Sequence, residues 1–175
     1  MDELVKYVLS GSPNSKGATN YIIKNLFQES EIIDLSRADI ASCIGCNKCI
    51  NGDCVYDDDF FKILELVDDY FILVSPIYFL GLPSFVKAFI DRFQVLWNNK
   101  NIVRIKHCAM ILHGESGNYK IESGLQLLNE IISELLNSEK TFFTILHNFQ
   151  NNKSGNVENN IIEVKEQLWN AFFVK

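Results

Sequence analysis

The sequence predicts an α/β fold: three layers, with a five-stranded parallel sheet in the order 2-1-3-4-5 between helices. Two observations carry this. Short apolar, β-prone runs alternate with longer segments whose apolar residues recur at helical spacing. Two of the runs, YFILVSP (70–76) and HCAMILH (107–113), are almost wholly apolar, as strands buried on both faces must be. Short right-handed connections then require a parallel sheet that reverses direction after its first strand.

The elements follow in order. LVKYVLS (4–10) is the first strand. Residues 17–28 form a helix with Ala18, Ile22 and Leu26 on one face. SEIIDLSR (30–37) is a short second strand. Asp57, Asp58 and Asp59 stand where a helix N-terminus favours negative charge, and Phe60, Ile63, Leu64 and Val67 make the face behind them. After the strand at 70–76, Pro83 suits a first helical turn. Leu82, Phe85, Val86, Phe89, Ile90, Phe93 and Trp97 then form one wide apolar stripe. The strand at 107–113 is followed by a helix face at Ile121, Leu125, Leu128, Ile132 and Leu135. TFFTILHNF (141–149) is the last strand, and Ile161, Val164, Leu168 and Phe172 lie on a terminal helix. QNNKSGNVENN (150–160) reads as a loop. Five strands thus alternate with five helices.

The chain has 175 residues, 47% hydrophobic and 22% charged. It is expected to form one domain over 1–175 with a cysteine-rich insertion at about 41–56. This composition excludes a disordered chain. The net charge of −6, without a basic block, argues against nucleic acid as partner. No apolar run reaches the length of a membrane helix. Asp2 and Glu3 stand where a signal peptide carries basic residues, so a cytoplasmic location is expected.

In such sheets ligands bind beyond the carboxyl ends of the strands. Three loops there are informative. SGSPNSKGATN (10–20) has Gly11 and Gly17 for tight turns, polar side chains at Ser10, Ser12, Asn14, Ser15 and Thr19, and a helix start at Gly17–Thr19. Unpaired N–H groups at that start make an anion site, most naturally for a phosphate. The spacing is neither a P-loop nor GxGxxG. The plain alternative is an ordinary capped turn. SPIYFLGLPS (75–84) places Tyr78 and Phe79 at the rim, where they would line a flat ring or simply fill core. HGESGNY (113–119) offers Gly114 and Gly117 for close backbone approach, beside His113, Glu115, Asn118 and Tyr119.

Cys43, Cys46, Cys49 and Cys54 are separated by two, two and four residues. In a reducing compartment such a cluster points to metal or redox chemistry. Thiolates at such short gaps suit one 4Fe–4S cluster, with Gly45 and Gly52 supplying the turns. Zinc more often takes two separated pairs. A redox-active dithiol remains open, as do cysteines that bind nothing. Cys108, inside a strand, reads as a buried apolar residue. His107 and His147, at strand ends without a sequence partner, read as structural. Asp91–Arg92 reads as a surface ion pair or an interface contact.

GSPNSKGAT resembles the phosphate loop of the NAD(P)H-dependent FMN reductase group within the flavodoxin-like fold. SPIYFLGLPSFVKAFIDR resembles that group's second flavin loop and following helix. CIGCNKCINGDCVYDDDF is similar to the cysteine segment of its iron–sulfur flavoproteins. The resemblance runs from residue 4 to about 119. It implies bound FMN, with Ser10, Ser12, Asn14, Gly17, Ala18 and Thr19 at the phosphate. Pro76, Ile77, Tyr78 and Phe79 would run along the ribityl chain and ring, with His113 and Gly114 on the other side. Many relatives carry Arg or Lys where this chain has Asn14, so the phosphate charge falls to the helix terminus and Lys16.

The function expected is an FMN-dependent oxidoreductase between a reduced carrier, NAD(P)H or ferredoxin, and an acceptor. The flavin supplies the chemistry, and no side chain is assigned as acid or base. One alternative is a cluster-free NAD(P)H-dependent reductase of quinones, nitro compounds or free flavin. Another is a non-catalytic, cysteine-based redox sensor with bound flavin. Phe93 and Trp97 exceed what one sheet face needs, so a homodimer or homotetramer is expected.

Overall fold

The computed structural model describes residues 5–51, 54–67, 69–99, 103–114, 119–147 and 156–174, without the side chains of 119–121 and 156–159. Five strands form one sheet in the order β2-β1-β3-β4-β5: β1 (Tyr7–Ser10), β2 (Glu31–Asp34), β3 (Tyr70–Pro76), β4 (His107–Gly114) and β5 (Lys140–His147). Every pairing is parallel, with Tyr7 opposite Glu31, Leu9 opposite Leu73, Tyr70 opposite His107 and His107 opposite Lys140. The expected order and strand direction are both present.

The helices are α1 (Ala18–Leu26), α2 (Asp59–Leu66), α3 (Ser84–Asp91), α4 (Gln94–Asn99), α5 (Tyr119–Leu135) and α6 (Asn156–Phe173). Strand alternation divides the core in two. Phe71 and Leu73 of β3 face Phe60, Phe89, Phe93 and Ile132, on the layer built from α2, α3, α4 and α5. Tyr70, Ile72 and Val74 face Ile22, Ile23, Leu168 and Phe172, on the layer of α1 and α6. β3 is buried along its whole length, whereas the edge strand β2 is half exposed.

Four expectations change. The apolar stripe from Leu82 to Trp97 is two helices, not one. At the break, Arg92 N–H donates to Phe89 O and Phe93 N–H to Ile90 O, a tightened i→i+3 turn. Phe93 is buried inside the chain by Phe60, Phe71 and Phe89, so it needs no second subunit, while Trp97 is 63% exposed. α6 begins at Asn156, so residues 156–160 are helix rather than loop, and 150–155 lie outside the described residues. Arg92 is not a surface residue: its side chain is 1% exposed and pairs with Asp58, while Asp91 pairs with Lys87 on the surface.

His107 is structural, as expected. It is buried and stacked on Phe172 at 4.4 Å between ring centres, and burial lowers its pKa. Cys108 is fully buried, and desolvation pushes its thiol up to about 12.

β1 leaves the sheet at Gly11, whose N–H donates to Val74 O at 2.8 Å. A Cβ at Gly11 would lie 2.3 Å from Ser75 Oγ and 3.0 Å from Val86 Cγ2. Only glycine lets β1, β3 and α3 meet this closely. Gly11→Ala is therefore expected to cost about 1–3 kcal/mol through overpacking. Urea unfolding measures it, and an unchanged midpoint would show that the junction has slack.

Candidate functional site

The first two of the expected loops leave neighbouring strands at one rim of the sheet, where β4 also ends at His113 and Gly114. Gly11 N–H ties the end of β1 to β3, and Ile77 N–H donates to His113 O at 2.8 Å, tying β3 to β4. Thr19 Oγ1 and His113 Nε2, 2.8 Å apart, tie α1 to β4.

The first loop is organised by its own side chains. Ser10 Oγ accepts from Ser12 N–H, and Ser12 Oγ accepts from Asn14 N–H at 3.3 Å. Asn14 Oδ1 accepts from Lys16 N–H at 3.0 Å, and its carbonyl accepts from Gly17 N–H at 3.0 Å. Asn14 thus spends its oxygens on loop shape, an Asx turn, which separates it from a phosphate-neutralising Arg or Lys. Gly17 caps α1 with no side-chain hydrogen bond, and the first turn carries no acidic residue. The N-terminal N–H groups and the positive end of the helix dipole are left for an anion. Ser10, Ser12 and Thr19 are buried against this turn, Gly17 and Ala18 are half-buried, and Asn14 and Lys16 are exposed.

The second loop makes a tight turn in which Tyr78 and Gly81 exchange both backbone hydrogen bonds, at 2.8 and 3.0 Å. Its central residues, Phe79 and Leu80, have φ of 47° and 67°. That left-handed pair is the pattern of a type I′ turn, which ordinarily takes Asn and Gly. Phe and Leu occupy it at a cost of about 1–2 kcal/mol each. Phe79 is fully exposed at the tip and Tyr78 half exposed, so neither is core. Pro76 is buried and Ile77 half-buried, packed beneath Gly114, where an added Cβ would lie 3.4 Å from Ile77 Cβ. Of the third loop, Glu115–Asn118 lie outside the described residues, as does the side chain of Tyr119.

The cysteine segment has a separate site. Cys43, Cys46, Cys49 and Cys54 are free thiols that line one recess of about 400 Å³, its open mouth included. Gly45 and Asn47, both at positive φ, turn the chain into a short 3₁₀ turn at Lys48–Ile50. Asn98 Nδ2 contacts Cys49 Sγ at 3.2 Å, fixing that turn to α4. Arg92, Gln94 and Val95 close the wall, and among the described residues none from the three rim loops lines the recess. Gly52 lies outside the described residues. Among the described residues no three His, Cys, Asp or Glu side chains are drawn close enough to hold a metal ion.

Arg92 is the residue of the recess wall that sequence reasoning placed on the surface. Nη1 donates to Asp58 Oδ2 and to Ala41 O at 3.1 Å. Tyr56 and Phe60 flank the guanidinium with ring centres at 5.0 and 5.1 Å. Burial opposes the Arg92 charge, but Asp58 and then Cys54 outweigh it and raise the pKa. Burial likewise pushes Asp58 up, yet the Arg92 contact and the N–H groups of Ala41 and Phe60 hold it below the ordinary carboxylate value. Nε and Nη2 of Arg92, both sealed from solvent, make no well-formed hydrogen bond among the described residues, and the Cys54 thiol is a polar group that interacts with the guanidinium there. Buried cationic donors beside four thiols fit an anionic guest, as a thiolate-bound iron–sulfur cluster is. The signal for Arg92 was its position, three residues after Phe89 and seven after Phe85, on the buried face of the stripe.

His113 is buried, and desolvation lowers its pKa from 6.5 to about 4. The folded protein therefore keeps it neutral where the unfolded chain takes up a proton. Stability contributed by the neutral ring is present above pH 6.5 and is lost as pH falls toward 4, by about 3 kcal/mol. His113→Gln is expected to flatten the dependence of the urea midpoint on pH between 7 and 4.5. Parallel slopes in both proteins would show that other groups carry it.

The sequence pattern of the NADPH-dependent FMN reductase family matches residues 7–133, which include all three rim loops and the cysteine segment. An iron–sulfur flavoprotein of Methanosarcina thermophila is 31% identical over 133 residues, covering 70% of this chain and 69% of that protein. One from Archaeoglobus fulgidus is 36% identical over 92 residues, covering 48% of this chain. The match spans about half of that protein's length, 46%. In fold, the chain is similar to an NAD(P)H:quinone oxidoreductase from Methanothermobacter marburgensis, with a TM-score of 0.65 at 15% identity over 94% of each chain. The phosphate-loop, rim and cysteine motifs, the sheet order and these matches agree: the chain belongs to the NADPH-dependent FMN reductase family, and within the matched stretch it is similar to iron–sulfur flavoproteins.

Proposed function

We propose that the protein is an FMN-dependent oxidoreductase that passes electrons between a reduced carrier, NAD(P)H or ferredoxin, and an acceptor. The observation that carries this is the rim itself. Two loops and the end of β4, tied to one another through Gly11, Ile77 and the Thr19–His113 contact, meet beside an uncapped helix start within the stretch that the family pattern matches.

FMN supplies two-electron and one-electron chemistry at its ring when bound. The chain's part is to bind and orient it. The N–H groups of Ala18 and Thr19 and the hydroxyls of Ser10 and Ser12 would meet the phosphate, with Gly17 forming the turn before them and Lys16 adding charge from the exposed side. With the His113 proton on Nε2, that N–H would donate to Thr19 Oγ1 and the threonine hydroxyl would be free to donate outward to the phosphate. Pro76, Ile77, Tyr78 and Phe79 line the ribityl chain and ring, with His113 and Gly114 opposite. Ligand released by heat is expected to be FMN, and Thr19→Ala to weaken its binding by about 1 kcal/mol. Release of FAD, or of no flavin after reconstitution, would count against the assignment.

Cys43, Cys46, Cys49 and Cys54 would hold one 4Fe–4S cluster, supported by their spacing, the shared recess and the relatives' names. Protein purified without oxygen should then contain iron and sulfide, and any one Cys→Ser change among the four should remove most of the iron while sparing FMN. Cys108→Ser, inside the core, should leave iron unchanged. A second reading, a cluster-free reductase, is favoured by the thiols' not being drawn into a ligand set. It becomes the better account if the wild type carries no iron.

No helix among the described residues is long and apolar enough to cross a membrane, and a cytoplasmic site of action is part of this proposal. Exposed Trp97 and the Phe79–Leu80 tip would be covered in a homodimer or homotetramer. A stable monomer in sedimentation at micromolar concentration would remove that element.

A further inference from the structure

The wall of the cysteine recess contains one charged side chain buried as deeply as the core around it, Arg92. Its guanidinium is used on one side only. Nη1 is committed to Asp58 and Ala41 O, and the faces to Tyr56 and Phe60. The edge made by Nε and Nη2 is sealed from solvent and makes no well-formed hydrogen bond among the described residues. Leaving two charged donors unmade in a dry site costs several kcal/mol unless something else accepts them. Cys54, one of the four thiols, lines the recess together with Arg92. The buried pair is neutral as a whole, but it is oriented: Asp58 is turned to the backbone of Ala41 and Phe60, and the positive edge is what remains.

We infer that Arg92 is the hydrogen-bond donor and counter-charge for the anionic centre that the four cysteines hold, and that it thereby sets how readily that centre accepts an electron. This rests on the cluster reading proposed above. A thiolate-bound cluster gains one negative charge when it takes up one electron. A cation donating hydrogen bonds to its sulfurs favours the reduced state. Arg92 would act through charge, while Asp58 opposes it from behind by neutralising the same guanidinium.

The two roles of Arg92, structural and electrostatic, predict opposite things of its partner. Arg92→Gln removes the positive edge. Asp58→Asn breaks the same ion pair but leaves the guanidinium with its full charge. The test is a potentiometric titration with redox mediators, followed by electron paramagnetic resonance, on wild type and both variants purified without oxygen, with iron measured per chain. Arg92→Gln should lower the equilibrium constant for one-electron reduction tenfold or more, which is about 59 mV for a one-electron couple. Asp58→Asn should raise it. If Arg92 is only a structural post, both variants break the same pair and shift together or not at all, and that result overturns the inference. Should Arg92→Gln fail to load iron, Asp58→Asn decides alone, an unchanged or lowered potential overturning it. If both fail, Arg92→Lys decides: its shorter reach should lower the potential, and a wild-type value overturns the inference. A wild type without iron overturns the cluster reading and this inference with it. Iron at wild-type level with shifts of the same sign overturns only this one.

Discussion

The contact between Arg92 and Asp58 is the buried ion pair on which the junction of α2, the cysteine segment and α3 depends. Asp58 caps α2 through Phe60 N–H, accepts from Ala41 N–H, and meets the guanidinium, so one carboxylate fixes a helix start, the entry to the cysteine segment and the end of α3. Neighbouring contacts repeat the pattern at lower cost: Asp59 Oδ2 accepts from Asp39 N–H, and Asp59 N–H donates to Asp39 O. Taking both charges out of water is expensive, and a buried pair repays that only when its remaining groups are satisfied. Here Asp58 is satisfied and Arg92 is not. Arg92 also lines the recess that holds the four cysteines. Removing one partner of a buried pair usually costs about 3–5 kcal/mol, so this contact constrains the recess more strongly than any surface bridge of the molecule.

The rim is held by different means. Its ties are backbone hydrogen bonds and one neutral side-chain contact, and its anion site is a bare helix start with no acidic neighbour. Such a site needs no cation among its side chains, because oriented N–H groups carry the charge. That accounts for Asn14 in place of a basic residue. The loop needs a residue whose carbonyl and side-chain oxygen can both receive N–H groups, and asparagine does this where lysine cannot. The strained Phe79–Leu80 turn belongs to the same rim. Strain kept at a ligand loop holds an aromatic outward that would otherwise collapse onto the core.

Much of this was legible in the sequence because it is periodic. β3 and β4 stand where continuous apolar runs place them, and β3 has the bounds of its run. The two-sided burial of those strands, the helix faces and the glycine at the β1 exit follow from residue type and spacing alone. What was not legible depends on partners distant in sequence. Asp58 lies 34 positions before Arg92, and in the run Asp57–Asp59 no local rule says which aspartate caps the helix and which reaches into the core. The residue next to Arg92 is an aspartate, so an adjacent surface pair was the natural reading. The break between α3 and α4 was hidden in the same way: the apolar spacing continues through Phe93, and no Gly or Pro marks the turn. Phe79 and Leu80 also carry no sign of positive φ, since neither is a residue that favours it.

The two sites share no lining residue, yet they are not independent, because α3 touches both. Near its start Val86 packs against the Gly11 exit of β1, and just past its end Arg92 enters the wall of the cysteine recess. The rise from residue 86 to residue 92 is about 9 Å at helical pitch. Between them, Phe89 and Ile90 are buried in the sheet-facing core, so the helix has little freedom to shift along its axis. α3 therefore fixes the distance between the Gly11 exit and the guanidinium. The apolar stripe that the sequence shows most plainly thus also sets the spacing between the two candidate redox sites.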